Sequence, residues 1–268
     1  QLRALAKERG ITVPPGTRKA DLVKMLEEAP PVPSAVVPAA LAEAPPLSRA
    51  PLAYQARQAE LREAAARPTL PDKSRRMSGE NAYTTKVEHQ GGPPTVTKDF
   101  SRLNETAAQA KRKADAEELG SLTSEAVGLR APTVIRTGPG SVEMDFIEGR
   151  VGDLWESPTG LAELAATDDG RLLGLADILM GNMDRNAGNL IRLADGRLAS
   201  IDYESAFATA KLAGPNGSSF ARDLIGGYTW PKSIDFAPQD LAVIRARLEA
   251  LRPEFERLGR ATWHRQVM

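Results

Sequence analysis

Three polar side chains in one short stretch of the sequence could together hold a hard cation. In GNMDRNAGNLIRLADGRLASIDYESAF, which runs from Gly181 to Phe207, they are Asp184, Asn189 and Asp202. Carboxylate and amide oxygens suit Mg²⁺, and a further carboxylate can accept a proton from an attacking hydroxyl. Phosphoryl transfer needs both functions, because its catalysis consists mainly of positioning and of neutralising charge on phosphate oxygens.

The elements around these residues are expected to bring them together. An apolar helix is predicted over Arg171–Gly181, and Asp184 lies in the loop that follows it. Asn189 begins an alternating apolar run, an Asp-Gly pair suits a tight turn, and the return strand ends at Asp202. In a hairpin of this length, Asn189 and Asp202 lie near the same open end, beside the loop that carries Asp184.

This arrangement resembles the catalytic core of the protein-kinase-like superfamily, in which an Asp and an Asn five residues later precede a hairpin and a second Asp. The form GNMDRNAGN is most similar to the phosphatidylinositol 3/4-kinase-like branch and to bacterial HipA-type kinases. The resemblance implies Asp184 as catalytic aspartate and Asn189 and Asp202 as metal ligands. Two positions depart from the pattern: Asn186 stands where those loops usually carry His, and Tyr-Glu replaces Phe-Gly after Asp202.

The resemblance also implies parts of a nucleotide site earlier in the chain. Lys98 ends the β-branched run in PTVTKDF and matches the strand lysine that places the α- and β-phosphates. Gly79, in RMSGENAYTTK, matches a short phosphate loop. The segment VEMDFIEGR resembles the hinge between two lobes, where backbone groups would meet adenine. Its candidate nucleotide-binding residues are Met144, Asp145, Phe146 and Ile147.

An acidic residue on the next helix, predicted between Asn104 and Val127, should pair with Lys98. The candidates are Asp115, Glu117, Glu118 and Glu125. Glu118 shares a helix face with Leu122, four residues on, and that face is expected to look inward. Glu118 is therefore the predicted partner of Lys98, with Glu117 as the second choice.

The sequence before residue 73 is predicted to form three segments. Residues 1–29 form a helix, an extended loop and a second helix, and they resemble SAP-like and Rho-N-like modules, some of which bind nucleic acid. A weak nucleic-acid contact is one use of this module, and a tether with solvated helix faces is the other. Residues 30–51 are rich in Pro and Ala and predict a semi-rigid linker of polyproline II character. Residues 52–72 predict a connecting helix.

Residues 73–268 are interpreted as the kinase-like domain, with an N-lobe at 73–149 and a C-lobe at 150–268. The expected fold class is α+β: a small β-rich lobe with one main helix, followed by a mostly helical lobe. The Gly-, Pro- and Asn-containing segment 211–219 occupies the place of a substrate or activation loop.

Composition excludes several classes of function. The chain has 268 residues, with Lys+Arg and Asp+Glu both at 35, so its net charge does not indicate a polyanion binder. Cysteine is absent, which excludes disulfides, thiol catalysis and Cys-based zinc sites. The sequence shows no signal peptide and no run of about 18 to 20 apolar residues, so a cytoplasmic location is expected. The chain begins with Gln1 and can be part of a longer polypeptide.

The function expected from these features is that of an ATP- and Mg²⁺-dependent kinase. Its acceptor would be a protein Ser or Thr, or the hydroxyl of a small molecule or lipid. The alternative is a catalytically inactive pseudokinase that serves as a binding module. Such a module could belong to a phage- or toxin-associated polypeptide with a nucleic-acid-binding N-terminal part.

Overall fold

A computed structural model describes most of the chain after residue 50. The described residues are 17, 50–70, 75–77, 82–102, 105–151, 167–182, 184–208 and 238–268. The chain divides into two compact units, Gln1–Val37 and Pro38–Met268. Only Thr17 is described in the first unit, so the predicted module at 1–29 lies almost wholly outside the described residues. Gly79, most of the linker and the segment 211–219 lie outside them as well.

The second unit is an α+β structure, as predicted. Its described strands, β1 to β8 in chain order, are Arg75–Arg76, Tyr83–Val87, Thr95–Asp99, Val134–Gly138, Ser141–Asp145, Arg150–Val151, Leu190–Arg192 and Leu198–Ser200. Its described helices, α1 to α6, are Ala50–Ala65, Ala107–Val127, Asp168–Met180, Pro238–Ala250, Arg252–Arg257 and Ala261–Val267. Short 3₁₀ turns lie at Phe100–Arg102 and Ala187–Asn189.

Strands β1 to β5 form an antiparallel sheet in the order β1-β2-β3-β5-β4. Alternation along β3 places Val96 and Lys98 on the same face, because side chains of a strand alternate between its two sides. Lys98 lies opposite Val142 on β5 and opposite Thr84 on β2. An apolar cluster covers the sheet, and it contains Ala82, Val96, Phe100, Ala110, Ala114, Val134, Val142 and Met144.

Helix α2 joins this sheet to the helical part of the unit. Thr106 begins it with a capping box that involves Gln109, and Gly128 ends it with a φ of 101°. Residues in its first half, such as Ala114, pack against the sheet, whereas Leu119 and later residues belong to the helical core. The middle of α2, where the acidic residues lie, is therefore at the junction of the two cores.

The helical core is built from α2, α3 and the three C-terminal helices. The Phe207 ring stands edge-on to the rings of Phe255 and Trp263, with centroids 5.9 and 5.3 Å away. In α4, Ile244 and Leu248 are buried in this core, whereas Leu241, in the first turn of the helix, is 45% exposed.

The predicted hairpin after α3 is present, with β7 and β8 paired so that Leu190 lies opposite Ser200. Strand β6 adds to β7 and completes a three-stranded sheet. The chain leaves β8 and reaches Asp202 two residues later. None of the described helices is both long enough and apolar enough to cross a membrane.

Candidate active site

Lys98 is the centre of the candidate site. Its side chain, on β3, is only 10% exposed, and its ammonium nitrogen Nζ lies 2.5 Å from Glu117 Oε1 and 2.8 Å from Asp202 Oδ1. Burial alone would lower the pKa of Lys98, but the two carboxylates outweigh it and raise the pKa well above its ordinary value. Lys98 and Asp202, which are 104 positions apart in sequence, are thus joined by an ion pair.

The predicted pairing of Glu118 with Lys98 is wrong, and Glu117 takes that place. Successive side chains on a helix point about 100° apart, so neighbouring glutamates face different surroundings. Glu118 instead accepts hydrogen bonds from Arg257 Nη2 at 2.5 Å and Arg136 Nε at 3.4 Å. It does share a face with Leu122, but that face borders a second, smaller cavity behind the helix.

The loop that carries Asp184 is held by hydrogen bonds to its own backbone. Asp184 N–H donates to Asn182 Oδ1 at 3.2 Å, and Asn189 Nδ2 donates to the Asp184 carbonyl at 2.8 Å. The Asn186 side chain accepts from Gly188 N–H at 2.9 Å. Asn189 uses its amide nitrogen inside the loop, and its carbonyl oxygen is the atom with which an amide binds a cation.

Arg185, which directly follows Asp184, orders the loop, one of the two roles that its position in the sequence suggests. Its side chain is fully buried; Nε donates to Asp177 Oδ1 at 3.2 Å, and Nη1 donates to the carbonyls of Asn189 and Ile201 at 3.3 and 2.5 Å. Burial lowers its pKa, but the Asp177 carboxylate reverses this effect and the net change is upward. Arg185 therefore ties the loop to the strand end that leads to Asp202. The signal in the sequence was an aspartate, Asp177, inside an otherwise apolar helix.

Asp202 occupies a backbone conformation that is uncommon for residues other than glycine, with φ at 64°. Ile201 N–H, just before it, donates to the Asn189 carbonyl at 3.0 Å, so the two predicted metal-ligand residues lie at the same open end of the β7–β8 hairpin. Burial raises the pKa of Asp202, but the charge and hydrogen bond of Lys98, together with the charge of Arg185, outweigh burial and lower the net pKa. Asp202 is therefore ionised at neutral pH.

The two residues after Asp202 differ in their roles. Tyr203 is completely buried under α2, and its hydroxyl donates to the Ser200 carbonyl at 2.8 Å. Glu204 is also buried, yet it borders the cavity described below, and Lys113 Nζ lies 3.9 Å from its carboxylate. Burial and the neighbouring Asp202 charge raise the pKa of Glu204 to about 7. The carboxylates of Glu117, Asp202 and Glu204 lie within 4.8 Å of one another, close enough to share a cation.

A cavity of about 450 Å³ lies beside these residues, within the usual range of small-ligand pockets. One part of its wall is charged or polar and contains Lys98, Asp184, Asn186, Asn189, Asp202 and Glu204. The other part is mostly apolar and contains Ala82, Val96, Met144, Phe146, Ile147, Ile191 and Ile201. All four predicted hinge residues line this cavity. The structure thus brings together every predicted site residue that it describes except Glu118.

The hinge residues offer fewer backbone donors than predicted. Asp145 N–H donates to the Thr133 carbonyl at 3.2 Å, and Phe146 N–H donates to the Pro94 carbonyl at 3.3 Å. These two N–H groups are therefore committed to the sheet. Thr133 N–H donates to the Asp145 carboxylate and not to its carbonyl.

The donor set of this site fits a hard divalent cation. Asp202 supplies a carboxylate that is ionised, and Asn189 an amide whose nitrogen is already used in the loop. Oxygen ligands of this kind are those that Mg²⁺ accepts, with water or phosphate completing the coordination. Glu204 adds a further carboxylate on the same side of the cavity.

Comparison with known proteins does not establish a family. No protein-family model matches the chain, and no curated protein matches it. Solved structures that match include two of the Rio2 kinase from Chaetomium thermophilum. Its ADP/Mg²⁺-phosphoaspartate complex is 16% identical, with a TM-score of 0.41 over 81% of this chain and 76% of that chain. A second Rio2 structure is 14% identical, with a TM-score of 0.44 over 78% of this chain and 76% of that chain.

Proposed function

We propose that this chain is an ATP- and Mg²⁺-dependent phosphotransferase with a two-lobed, kinase-like arrangement. The observation that carries the proposal is the bridge from Glu117 through Lys98 to Asp202, at a cavity that Asp184 and Asn189 also line. Removing an ammonium group and two carboxylates from water costs free energy, so a buried cluster of this kind indicates a functional role. Its position at the boundary between apolar and charged walls suits a nucleotide, which has an apolar base and charged phosphates.

The apolar part of the cavity would hold the base. Because the N–H groups of Asp145 and Phe146 donate to the protein, we assign the Ile147 N–H and the Asp145 carbonyl to the edge of adenine. Met144 and Ile147 would pack against the ring with the other apolar lining residues. Gly79, outside the described residues, remains the predicted contact to the phosphates.

The charged part would position the reacting groups. Lys98 would contact the α- and β-phosphates, and Glu117 would keep its ammonium group in place. Asn189 and Asp202 would hold Mg²⁺, which supplies charge neutralisation at the phosphate oxygens. Asp184 would orient the acceptor hydroxyl and accept its proton. The new bond joins the acceptor oxygen to the γ-phosphorus, the bond to the β–γ bridging oxygen breaks, and ADP leaves.

The acceptor is proposed only as a class, namely a Ser or Thr of a protein or the hydroxyl of a small molecule or lipid. Asp184 is exposed at the cavity and could reach either kind. The narrower likeness to phosphatidylinositol 3/4-kinase-like and HipA-type enzymes stays a prediction.

A binding module without catalysis is the second candidate. Glu204 favours it, because a third carboxylate beside Asp202 repels phosphate groups unless cations neutralise the cluster. In that case the cavity would bind a nucleotide, or another ligand, without transferring a phosphoryl group.

Transfer of radiolabelled γ-phosphate from ATP, with Mg²⁺ present, tests the proposal. Asp184→Asn and Asp202→Asn should each lower the rate by at least about 100-fold. Asp195→Asn is the matched control, since Asp195 is exposed in the turn of the same hairpin and should keep nearly full activity. If wild type and the three variants all bind nucleotide but none of them transfers phosphate, the binding module is favoured. Equal transfer rates in all four proteins would contradict a kinase.

A further inference from the structure

Helix α1 is packed against strands β4 and β5, although the sequence presents it only as a connector. Three of its side chains, Tyr54, Arg57 and Gln58, have the i, i+3, i+4 spacing that shares one helix face. Tyr54 Oη accepts from Val134 N–H at 3.0 Å, and Gln58 Nε2 donates to the Val134 carbonyl at 2.7 Å. Val134 begins β4, the last strand in the order of the five-stranded sheet, so α1 takes up backbone groups at that edge.

Arg57 reaches the cavity wall by two routes that meet at Asp145. In the first route the Arg57 guanidinium binds the Glu125 carboxylate. Arg130 Nη1 lies 3.7 Å from the same carboxylate, and its Nη2 lies 2.5 Å from Asp145 Oδ2. Positive and negative side chains alternate along this series of ion pairs. Glu125 and Arg130, in the middle, therefore each have an oppositely charged neighbour on both sides.

The second route runs through the backbone beside the sheet. Arg57 Nε donates to Thr133 Oγ1 at 3.2 Å, and Thr133 N–H donates to the Asp145 carboxylate. Thr133 is almost completely buried, so this link is shielded from water. Asp145 is therefore held on both carboxylate oxygens by groups that Arg57 contacts or stabilises.

Arg130 extends the connection to the other side of the cavity. Its carbonyl accepts from Ser200 N–H at 2.9 Å, two residues before Asp202. A change at Arg57 would therefore alter the position of the hinge through Asp145, and that of the metal-binding side of the cavity through β8.

We propose that Arg57 is a positioning residue of the nucleotide site, acting through Glu125, Arg130 and Thr133 on Asp145. This inference rests on the proposed nucleotide-binding function, because Asp145 and the hinge matter to the ligand only if a nucleotide occupies the cavity. Helix α1 then fixes the position of the cavity wall against which the base binds. Tyr54 and Gln58 contribute by holding β4 next to the hinge strand.

The test is the affinity of the full chain for ADP with Mg²⁺, measured by calorimetry well below the unfolding temperature of every variant. Arg57→Ala should raise the Kd for ADP about tenfold, while Arg57→Lys should recover part of that loss. Arg62→Ala is the matched control, because Arg62 is an exposed arginine on the same helix, and its Kd should stay within twofold of wild type. In steady-state assays the Arg57→Ala change should appear in the KM for ATP more than in kcat.

A second break in the same route separates positioning from general stability. The double variant Arg57→Ala with Glu125→Gln should bind ADP about as weakly as Arg57→Ala alone, because both changes interrupt the same series of contacts to Arg130. If Arg57→Ala does not fold, Tyr54→Phe replaces it, since this change keeps the buried ring but removes the acceptor for Val134 N–H; a twofold or greater rise in Kd is expected. A lower unfolding free energy with an unchanged Kd would overturn the inference. Failure of the wild-type chain to bind ADP would instead overturn the proposed function, and this inference with it.

Discussion

Gly120 and Tyr203 touch so closely that a Cβ atom on Gly120 would lie 2.4 Å from Cβ and Cγ of the tyrosine. Helix α2 and the segment after Asp202 therefore meet at a position that has room for glycine alone. The contact places Asp202 against Lys98, because Tyr203 directly follows Asp202 in the chain and is completely buried. Small-residue packing thus sets the distance between two charged groups.

Gly120→Ala should displace Tyr203 and weaken the contact between Asp202 and Lys98. We expect a loss of about 1–3 kcal/mol of unfolding free energy, typical of overpacking in a core. Phosphotransfer should fall at least tenfold even where the protein is folded. Ala108→Val, at an exposed position of the same helix, is the control and should change neither quantity much. Wild-type activity in Gly120→Ala would show that Tyr203 does not position Asp202.

The adjacent residues Glu117 and Glu118 provide a matched pair of variants. Glu117→Gln should lower kcat/KM at least tenfold, because Lys98 loses one of its two carboxylates and the phosphates lose a fixed cation. Glu118→Gln should leave kcat/KM within about threefold and cost about 1 kcal/mol of stability, since Arg136 and Arg257 are its partners. Kinetic assays and urea unfolding on both proteins separate the two effects, and the reverse ranking would restore the original choice of Glu118.

The buried pair of Arg185 and Asp177 should be strongly coupled. Arg185→Met keeps the volume but leaves the Asp177 carboxylate buried without its main counter-ion, at a cost of about 3–5 kcal/mol. Asp177→Asn in that background should recover part of the loss, because it removes the isolated charge. A double-mutant cycle in urea measures the coupling. Purely additive effects would argue against the pair as the anchor of the loop.

Glu204 should make stability depend on pH in the absence of metal. Its folded pKa, about 7, exceeds its ordinary value of 4.5, so the folded state keeps a proton that the unfolded state releases between these pH values. The unfolding free energy should therefore fall as pH rises from 4.5 to 7 and level off above 7, by at most about 3 kcal/mol. Glu125, whose pKa burial also raises to about 7, acts in the same direction.

Glu204→Gln isolates the contribution of Glu204 from that of Glu125. In EDTA, the variant should match wild type near pH 5 and be more stable than wild type near pH 8. Parallel stability profiles of the two proteins from pH 5 to 8 would contradict a raised pKa at Glu204.

Much of the site could be predicted because local patterns determine it. The β-branched run before Lys98 and the alternating run after Asn189 each form a strand, and the hairpin predicted after Asn189 is present. The α+β class followed from the same patterns. Capping chemistry at Thr106 and Gly128 sets the two ends of α2.

The incorrect predictions depended on how a helix is rotated about its axis and on which side chains are buried. A single sequence indicates neither of these well. One residue along α2 separates Glu117 from Glu118, and the choice between them required knowing which helix faces were covered and by what. Glu204 is buried beside Lys113, which belongs to α2 and is distant in sequence. The use of the Phe146 N–H by Pro94 is a matter of sheet register, which the composition of the hinge segment does not reveal.

The hydrogen bonds from α1 to Val134 also cover the β4 edge of the five-stranded sheet. An edge strand of a sheet presents a row of backbone groups that can pair with another chain, which leads to aggregation. Tyr54 and Gln58 occupy both groups of Val134 at the end of the sheet order. A shortened chain that starts at residue 73, where the sequence alone places the start of the catalytic domain, would lack this cover. Its β4 edge could then recruit strands from other molecules, so self-association is its characteristic failure.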